Sequence, residues 1–259
     1  MRNAAYEFLL FGLKEARACV FAGSFFVILL LSKYVPLGTL PRYDFIFLAA
    51  ILLQVGLLVL RIETLAEAAV LCLFHAIGLG LELFKTHPAI GSWSYPEPAF
   101  FKIATVPLYS GFMYAAVASY LCQAWRIFDL KLENYPSYRV SVPLCIAVYG
   151  NFFTNAFMPD LRLILIPLVF VTFWRTRVYF TSWRERRWMP MVISFFLIGF
   201  FIWVAENMAT FLGAWVYPEQ MARWTTVSIQ KLSSWFLLVI ISFVIVADLK
   251  GMRDETVRG

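Results

Sequence analysis

The chain has 259 residues, 61% of them hydrophobic, 18% aromatic and 15% charged, with a formal net charge of +6. Such a composition excludes both a soluble globular domain and a disordered chain, and predicts a polytopic membrane protein. The basic residues lie in short clusters between apolar stretches, as topology signals do, so nucleic acid is excluded as a partner.

A bilayer core needs about 20 mainly apolar residues per helix, fewer where flanking Lys and Arg snorkel. That ruler predicts eight spans, over residues 18–33, 43–60, 65–84, 103–123, 140–157, 161–175, 189–210 and 231–248. The first and sixth are short, bounded by Arg17 and Lys33 and by Arg162 and Arg175, which leaves seven spans as the alternative. With the N-terminus cytoplasmic, fifteen Lys and Arg face the cytoplasm and seven the other side. Both termini are therefore expected inside a cell membrane, with the cluster from Arg175 to Arg187 as the strongest marker. No small-residue cleavage pattern follows the first span, so that span is expected to be retained.

One stretch occurs twice. Glu82 to Glu97 reads E-L-F-K-T-H-P-A-I-G-S-W-S-Y-P-E, and Glu206 to Glu219 reads E-N-M-A-T-F-L-G-A-W-V-Y-P-E. The offset is 124 residues for the leading acids and 122 for the tryptophans. This predicts a single all-α membrane domain built of two parallel four-helix repeats, 1–126 and 127–259, with both W-x-Y-P-E loops away from the cytoplasm.

A carboxylate in a membrane helix costs about 2.5–3.5 kcal/mol on insertion scales, which makes Glu82 and Glu206 the leading candidates for catalysis. His75 lies two helical turns before Glu82 on the same face and is the third. Trp93, Tyr95, Trp215 and Tyr217 are candidates to line a substrate mouth, or alternatively to anchor the loops at the membrane surface. Asn151, Asn155, Asn207, Ser110, Ser234 and Lys231 collect at similar depth as candidate substrate contacts, with interhelical hydrogen bonding as the plainer alternative. Four cysteines sit in apolar runs without C-x-x-C spacing, and two histidines, His75 and His87, lack ligand spacing, so neither metal nor cofactor is expected. Phosphate-cradling, dinucleotide and serine-hydrolase motifs do not occur.

The run H-A-I-G-L-G-L-E-L-F-K-T with G-S-W-S-Y-P-E-P, and A-E-N-M-A-T-F-L-G-A-W-V-Y-P-E with K-L-S-S-W-F-L-L, resemble the YoaT-like family of bacterial integral membrane proteins over nearly the whole chain. That resemblance implies a topology and no mechanism. An acid followed by G-x-W-x-Y and then V-P-L at Val106 to Leu108 also resembles the small membrane carotenoid cyclases and hydratases, which implies protonation of a polyene by carboxylic acids. The cyclases continue P-L-E-E, whereas this chain continues with Tyr109 and Ser110, so Glu82 and Glu206 remain the acids available.

Three functions stay open on this reading. The first is a membrane-embedded enzyme, with Glu82 and Glu206 as acid and base on an isoprenoid or other lipid. The second is a proton-coupled carrier for a small solute. The third is a scaffold in which the acids pair with Lys102 and Lys231.

Overall fold

Apolar runs broken by Pro, Gly and charged residues set the helix pattern of this computed structural model, which describes residues 2–249 and the side chains of 5–247. The described residues form nine α-helices. They are α1 (Arg2–Ala18), α2 (Val20–Leu31), α3 (Arg42–Val59), α4 (Leu65–Lys85), α5 (Ser110–Ile127), α6 (Tyr138–Thr154), α7 (Arg162–Phe173), α8 (Met191–Phe211) and α9 (Lys231–Leu249). Lys250, Arg253 and Arg258, which entered the orientation count, lie outside the described residues.

Of the eight expected spans, three are matched among the described residues by helices long and apolar enough to cross a membrane, α3, α4 and α8, while α2, α7 and Lys231–Ala247 of α9 are shorter apolar helices. Prolines inside α6 (Pro143) and α7 (Pro167) each remove a helix hydrogen-bond donor. The span expected over 103–123 starts as a helix only at Ser110. Ahead of it, β1 (Lys102–Ile103) and β2 (Val106–Pro107) pair antiparallel around Ala104, which has a φ of 51°.

The chain is mostly helical but not all-α. The loop expected after the sixth span folds as β4 (Arg177–Thr181) and β5 (Arg186–Pro190), with β3 (Lys131–Glu133) on the other edge of β4. R-V-Y-F-T is rich in the β-branched and aromatic residues that suit a pleated, half-buried surface.

The chain divides into two compact units, with boundaries at the end of α1, within α5, within α8 and ahead of α9. One comprises Ala18–Gln123 and Glu206–Thr226. In it α2 packs on α3 and α3 on α4, around Phe21, Leu29, Tyr43 and Ile46. Helix α4 starts at a capping box in which Thr64 and Glu67 satisfy each other's backbone N–H. The second W-x-Y-P-E loop thus folds with the first.

The other unit holds residues 2–17, Ala124–Ala205 and 227–249. Helices α6, α7 and α9 pack together there around Val148, Val169, Phe173 and Ile240. Helix α1 docks on the small sheet: Lys14 Nζ donates to Thr181 O at 2.6 Å, and Arg187 donates twice to Glu7, at 3.0 and 2.9 Å. The hydrogen bond from Arg187 holds the Glu7 carboxyl below its usual range.

Candidate functional site

Glu82 lies three residues before the end of α4 and is 2% exposed. Beyond the helix, Gly91 adopts a φ of 56°, which L side chains disfavour, and turns the chain back beneath the helix end. The turn brings two donors to one oxygen: Trp93 Nε1 reaches Glu82 Oε2 at 2.6 Å and the Tyr95 hydroxyl reaches it at 2.7 Å. The other oxygen, Oε1, accepts from the Tyr114 hydroxyl of α5 at 2.8 Å. Burial pushes the Tyr95 phenol well above its ordinary value, with the adjacent Glu82 charge adding to the effect, so Tyr95 remains a donor at neutral pH.

Close helix approach makes the third bond possible. A Cβ on Gly78 would stand 2.3 Å from Tyr114 Cδ2, and a Cβ on Gly111 would stand 2.7 Å from His75 Nδ1. His75 therefore faces α5, as Glu82 does, but its ring packs on Gly111 and edge-on to Phe112 at 4.7 Å. Its Nδ1 is buried with no hydrogen-bond partner.

Glu206 occupies the corresponding place in α8 and is 3% exposed. The Tyr217 hydroxyl donates to its Oε1 at 2.5 Å, and Trp215 donates in turn to Tyr217. Burial pushes the Tyr217 phenol well above its ordinary value too, with the Glu206 charge second. Gly213, matching Gly91, has a φ of 71°.

The two loops join at equivalent residues. Ser94 N donates to Val216 O at 2.9 Å and Val216 N to Ser94 O at 3.0 Å, an antiparallel bridge between the middle positions of the two W-x-Y triplets. Trp93 and Tyr217 meet edge to face, 6.1 Å between ring centroids. Tyr43, Tyr95 and Tyr109 form an aromatic cluster with centroids 5.0–6.1 Å apart.

Several residues of this region escape sequence reasoning. The last carbonyls of a helix have no intrahelical partner, and at the end of α8 side chains supply them. Lys33 Nζ caps Phe211 O at 3.1 Å, Arg42 caps Leu212 O at 2.6 Å and Gly213 O at 3.1 Å, and the Tyr109 hydroxyl caps Ala214 O. Arg42 also binds Ser32 Oγ at 2.9 Å and forms an ion pair with Glu97, the closing acid of the first motif, at 2.5 Å. Arg42 read from sequence is only a flanking charge of a span; its role requires knowing that the end of α8 lies beside α3. Asp44, fully buried, accepts from the backbone N–H of Phe100 and Phe101.

The remaining candidates lie elsewhere. Ser110 is buried at the start of α5 with an unpartnered hydroxyl, and Asn207 is half-buried on α8. Asn151, Asn155 and Ser234 line a groove between α6 and α9 in the other unit, together with Arg162, which the sequence marked only as a span boundary. Lys231 opens α9 three residues before Ser234. No group of His, Cys, Asp and Glu suited to a metal ion occurs among the described residues.

Fold and site define a mostly helical chain with three helices long and apolar enough to cross a membrane, in which each W-x-Y loop is tied to a buried acid near its helix end. Residues 7–243 match the family described as protein of unknown function DUF817, and the chain belongs to that family. It is 49% identical over 254 residues to a Bacillus subtilis (strain 168) protein, Uncharacterized protein YoaT, spanning 98% of this chain and 96% of that one. No solved structure matches the chain.

Proposed function

We propose that the protein is a multi-pass membrane enzyme, built of two parallel repeats with both termini cytoplasmic, that uses Glu82 for acid–base chemistry on an isoprenoid or other lipid. Glu206 is the second acid–base group. The observation that supports this most is that Glu82's three partners are all neutral donors, two phenols and an indole. A carboxylate held this way can take up or release a proton without breaking an ion pair. The surrounding rings of Trp93, Tyr95, Tyr109 and Tyr217 supply faces that stabilise positive charge on a hydrocarbon.

A second reading, a structural latch, is favoured by Glu63. It is equally buried, lies outside either motif, and is also satisfied by neutral donors, Gln54 at 2.6 Å and Ser119 at 2.5 Å. The test compares lipid extracts of wild-type, deletion and Glu82→Gln cells by mass spectrometry, with thermal unfolding of the purified variant. The enzyme reading expects a folded variant whose cells accumulate the same lipid precursor as the deletion. A wild-type lipid profile from cells making Glu82→Gln would sink it, and with a lowered unfolding temperature would leave the latch.

A further inference from the structure

We infer that the groove between α6 and α9 is a binding site for an anionic phospholipid, with Arg162 holding the phosphate. The inference rests on the membrane location of the chain and not on the chemistry proposed for Glu82. Arg162 opens α7 and is held from several sides. Its Nε binds Asp160 at 2.5 Å, and its Nη1 binds Ser233 Oγ at 3.2 Å and Ser234 Oγ at 3.0 Å. Asp160 is fixed in turn by Asn151 at 3.1 Å. The guanidinium is therefore held in one orientation, with its charge fixed beside Ser234.

Two donors remain for a ligand. Arg162 Nη2 makes no hydrogen bond among the described residues, since Nε and Nη1 account for all those of its side chain. Ser233 spends its hydroxyl hydrogen on Gln230 O at 2.6 Å, whereas Ser234 accepts from Arg162 and keeps its own hydrogen to donate. Asp160 occupies the Nε side, so an anion approaches from the Nη2 and Ser234 side.

Below these polar groups the groove walls turn apolar, with Val148 and Phe152 on α6 and Leu237 and Leu238 on α9. Around Arg162, Phe157, Met158, Leu163 and Ile164 are all more than half exposed, Leu163 at 85%. A charged head beside exposed large apolar side chains is the arrangement of a protein surface facing lipid at headgroup depth. An anionic head at Arg162 with an acyl chain along Phe152 and Leu237 satisfies both parts, which a free anion does not.

The test is native mass spectrometry of the full chain released from detergent, titrated with dipalmitoyl phosphatidylglycerol, dipalmitoyl phosphatidylcholine, dihexanoyl phosphatidylglycerol or inorganic phosphate. The expected result is preferential binding of the long-chain anionic lipid, weakened about tenfold or more by Arg162→Gln, as loss of a charge-assisted contact predicts. Ser234→Val, which removes the hydroxyl while leaving the Asp160 pair, is expected to weaken it about threefold to tenfold. Equal affinity for the two long-chain lipids, or unchanged binding in a folded Ser234→Val variant, would overturn the proposal. Displacement of the lipid by millimolar inorganic phosphate would do so too, by making this a soluble-anion site.

Discussion

Glu82 and Glu206 stand at corresponding places in α4 and α8, and each accepts a hydrogen bond from the tyrosine of its own W-x-Y loop. Their surroundings then diverge. Glu82 receives the indole of Trp93 directly and the hydroxyl of Tyr114 from the following helix. At Glu206 the matching indole, Trp215, donates instead to Tyr217, and 124 residues after Tyr114 the chain has Leu238. Below the acids the helix contacts differ as well. His75 of α4 fills the space over Gly111 of α5, while Gly199 of α8 lies against the Trp235–Phe236 backbone of α9. Gly199 follows His75, and Trp235 follows Gly111, by the same 124 residues, so the two matching strings sit on unlike helix contacts.

Removing each acid tests this difference at its largest. Glu82→Leu leaves two phenols and an indole without an acceptor, and each orphaned buried donor costs about 1–3 kcal/mol, so about 3 kcal/mol or more is expected. Glu206→Leu orphans Tyr217 among the donors identified and is expected to cost about 1–3 kcal/mol. Thermal unfolding of the two purified variants in one detergent measures both. A Glu82→Leu loss no larger than that of Tyr95→Phe would show that the Trp93 and Tyr114 bonds add nothing to the Tyr95 bond.

The next effect in size comes from helix spacing. Gly78→Ala places a methyl 2.3 Å from the Tyr114 ring, which must move and take its hydroxyl away from Glu82. Overpacking of this kind costs about 1–3 kcal/mol. Gly199→Ala meets backbone atoms of Phe236 at 3.0–3.2 Å, a tight but smaller overlap. The expected order is therefore Gly78→Ala below Gly199→Ala in unfolding temperature, with the Tyr114 contribution confirmed if Tyr114→Phe removes most of the gap.

How far the sequence reveals this arrangement depends on chain distance. The contacts of Glu82 with Trp93 and Tyr95 span only 11 and 13 residues and sit inside one repeated string, so the string itself draws attention to them. Tyr114 is harder to find because its approach depends on Gly78 of another helix. Arg42 reaches carbonyls 170 and 171 residues away, and a count of flanking charges treats it as a topology marker. The sheet fails for a similar reason: β3 pairs with a strand more than forty residues later, and two strands rich in Arg and aromatics look like a basic loop between spans. Hydropathy identifies α3, α4 and α8, since each is at least 18 residues long and apolar over most of that length. It overreaches at residues 103–109, where apolar composition continues but the positive φ of Ala104 turns the chain and Pro107 lies in the short strand that follows.

The phenols give a smaller and more discriminating contrast. Tyr95→Phe leaves Glu82 with Trp93 and Tyr114, so about 1 kcal/mol is expected. Tyr217→Phe removes both the donor to Glu206 and the acceptor for Trp215, so a larger loss, about 2 kcal/mol, is expected. Thermal unfolding of this pair should thus rank the copies opposite to the acid variants. The same ranking in both experiments would show that Trp215 does not depend on Tyr217.

The smallest expected effect is at the tryptophans. Trp93→Phe keeps an aromatic ring against Tyr217 but removes the N–H that reaches Glu82 at 2.6 Å, one of three bonds to a buried carboxylate. Trp215→Phe removes a donor to a phenol that still holds its own bond to Glu206. A hydrogen bond to a charged acceptor is worth about 1.5–3 kcal/mol and one between neutral groups about 1 kcal/mol, and two remaining donors soften the loss at Glu82. The expected losses are therefore about 1 kcal/mol or more for Trp93→Phe and about 1 kcal/mol or less for Trp215→Phe. Thermal unfolding of the two purified variants measures both, and a Trp215→Phe loss equal to or above that of Trp93→Phe would show that the indole bond to Glu82 contributes no more than the one to Tyr217.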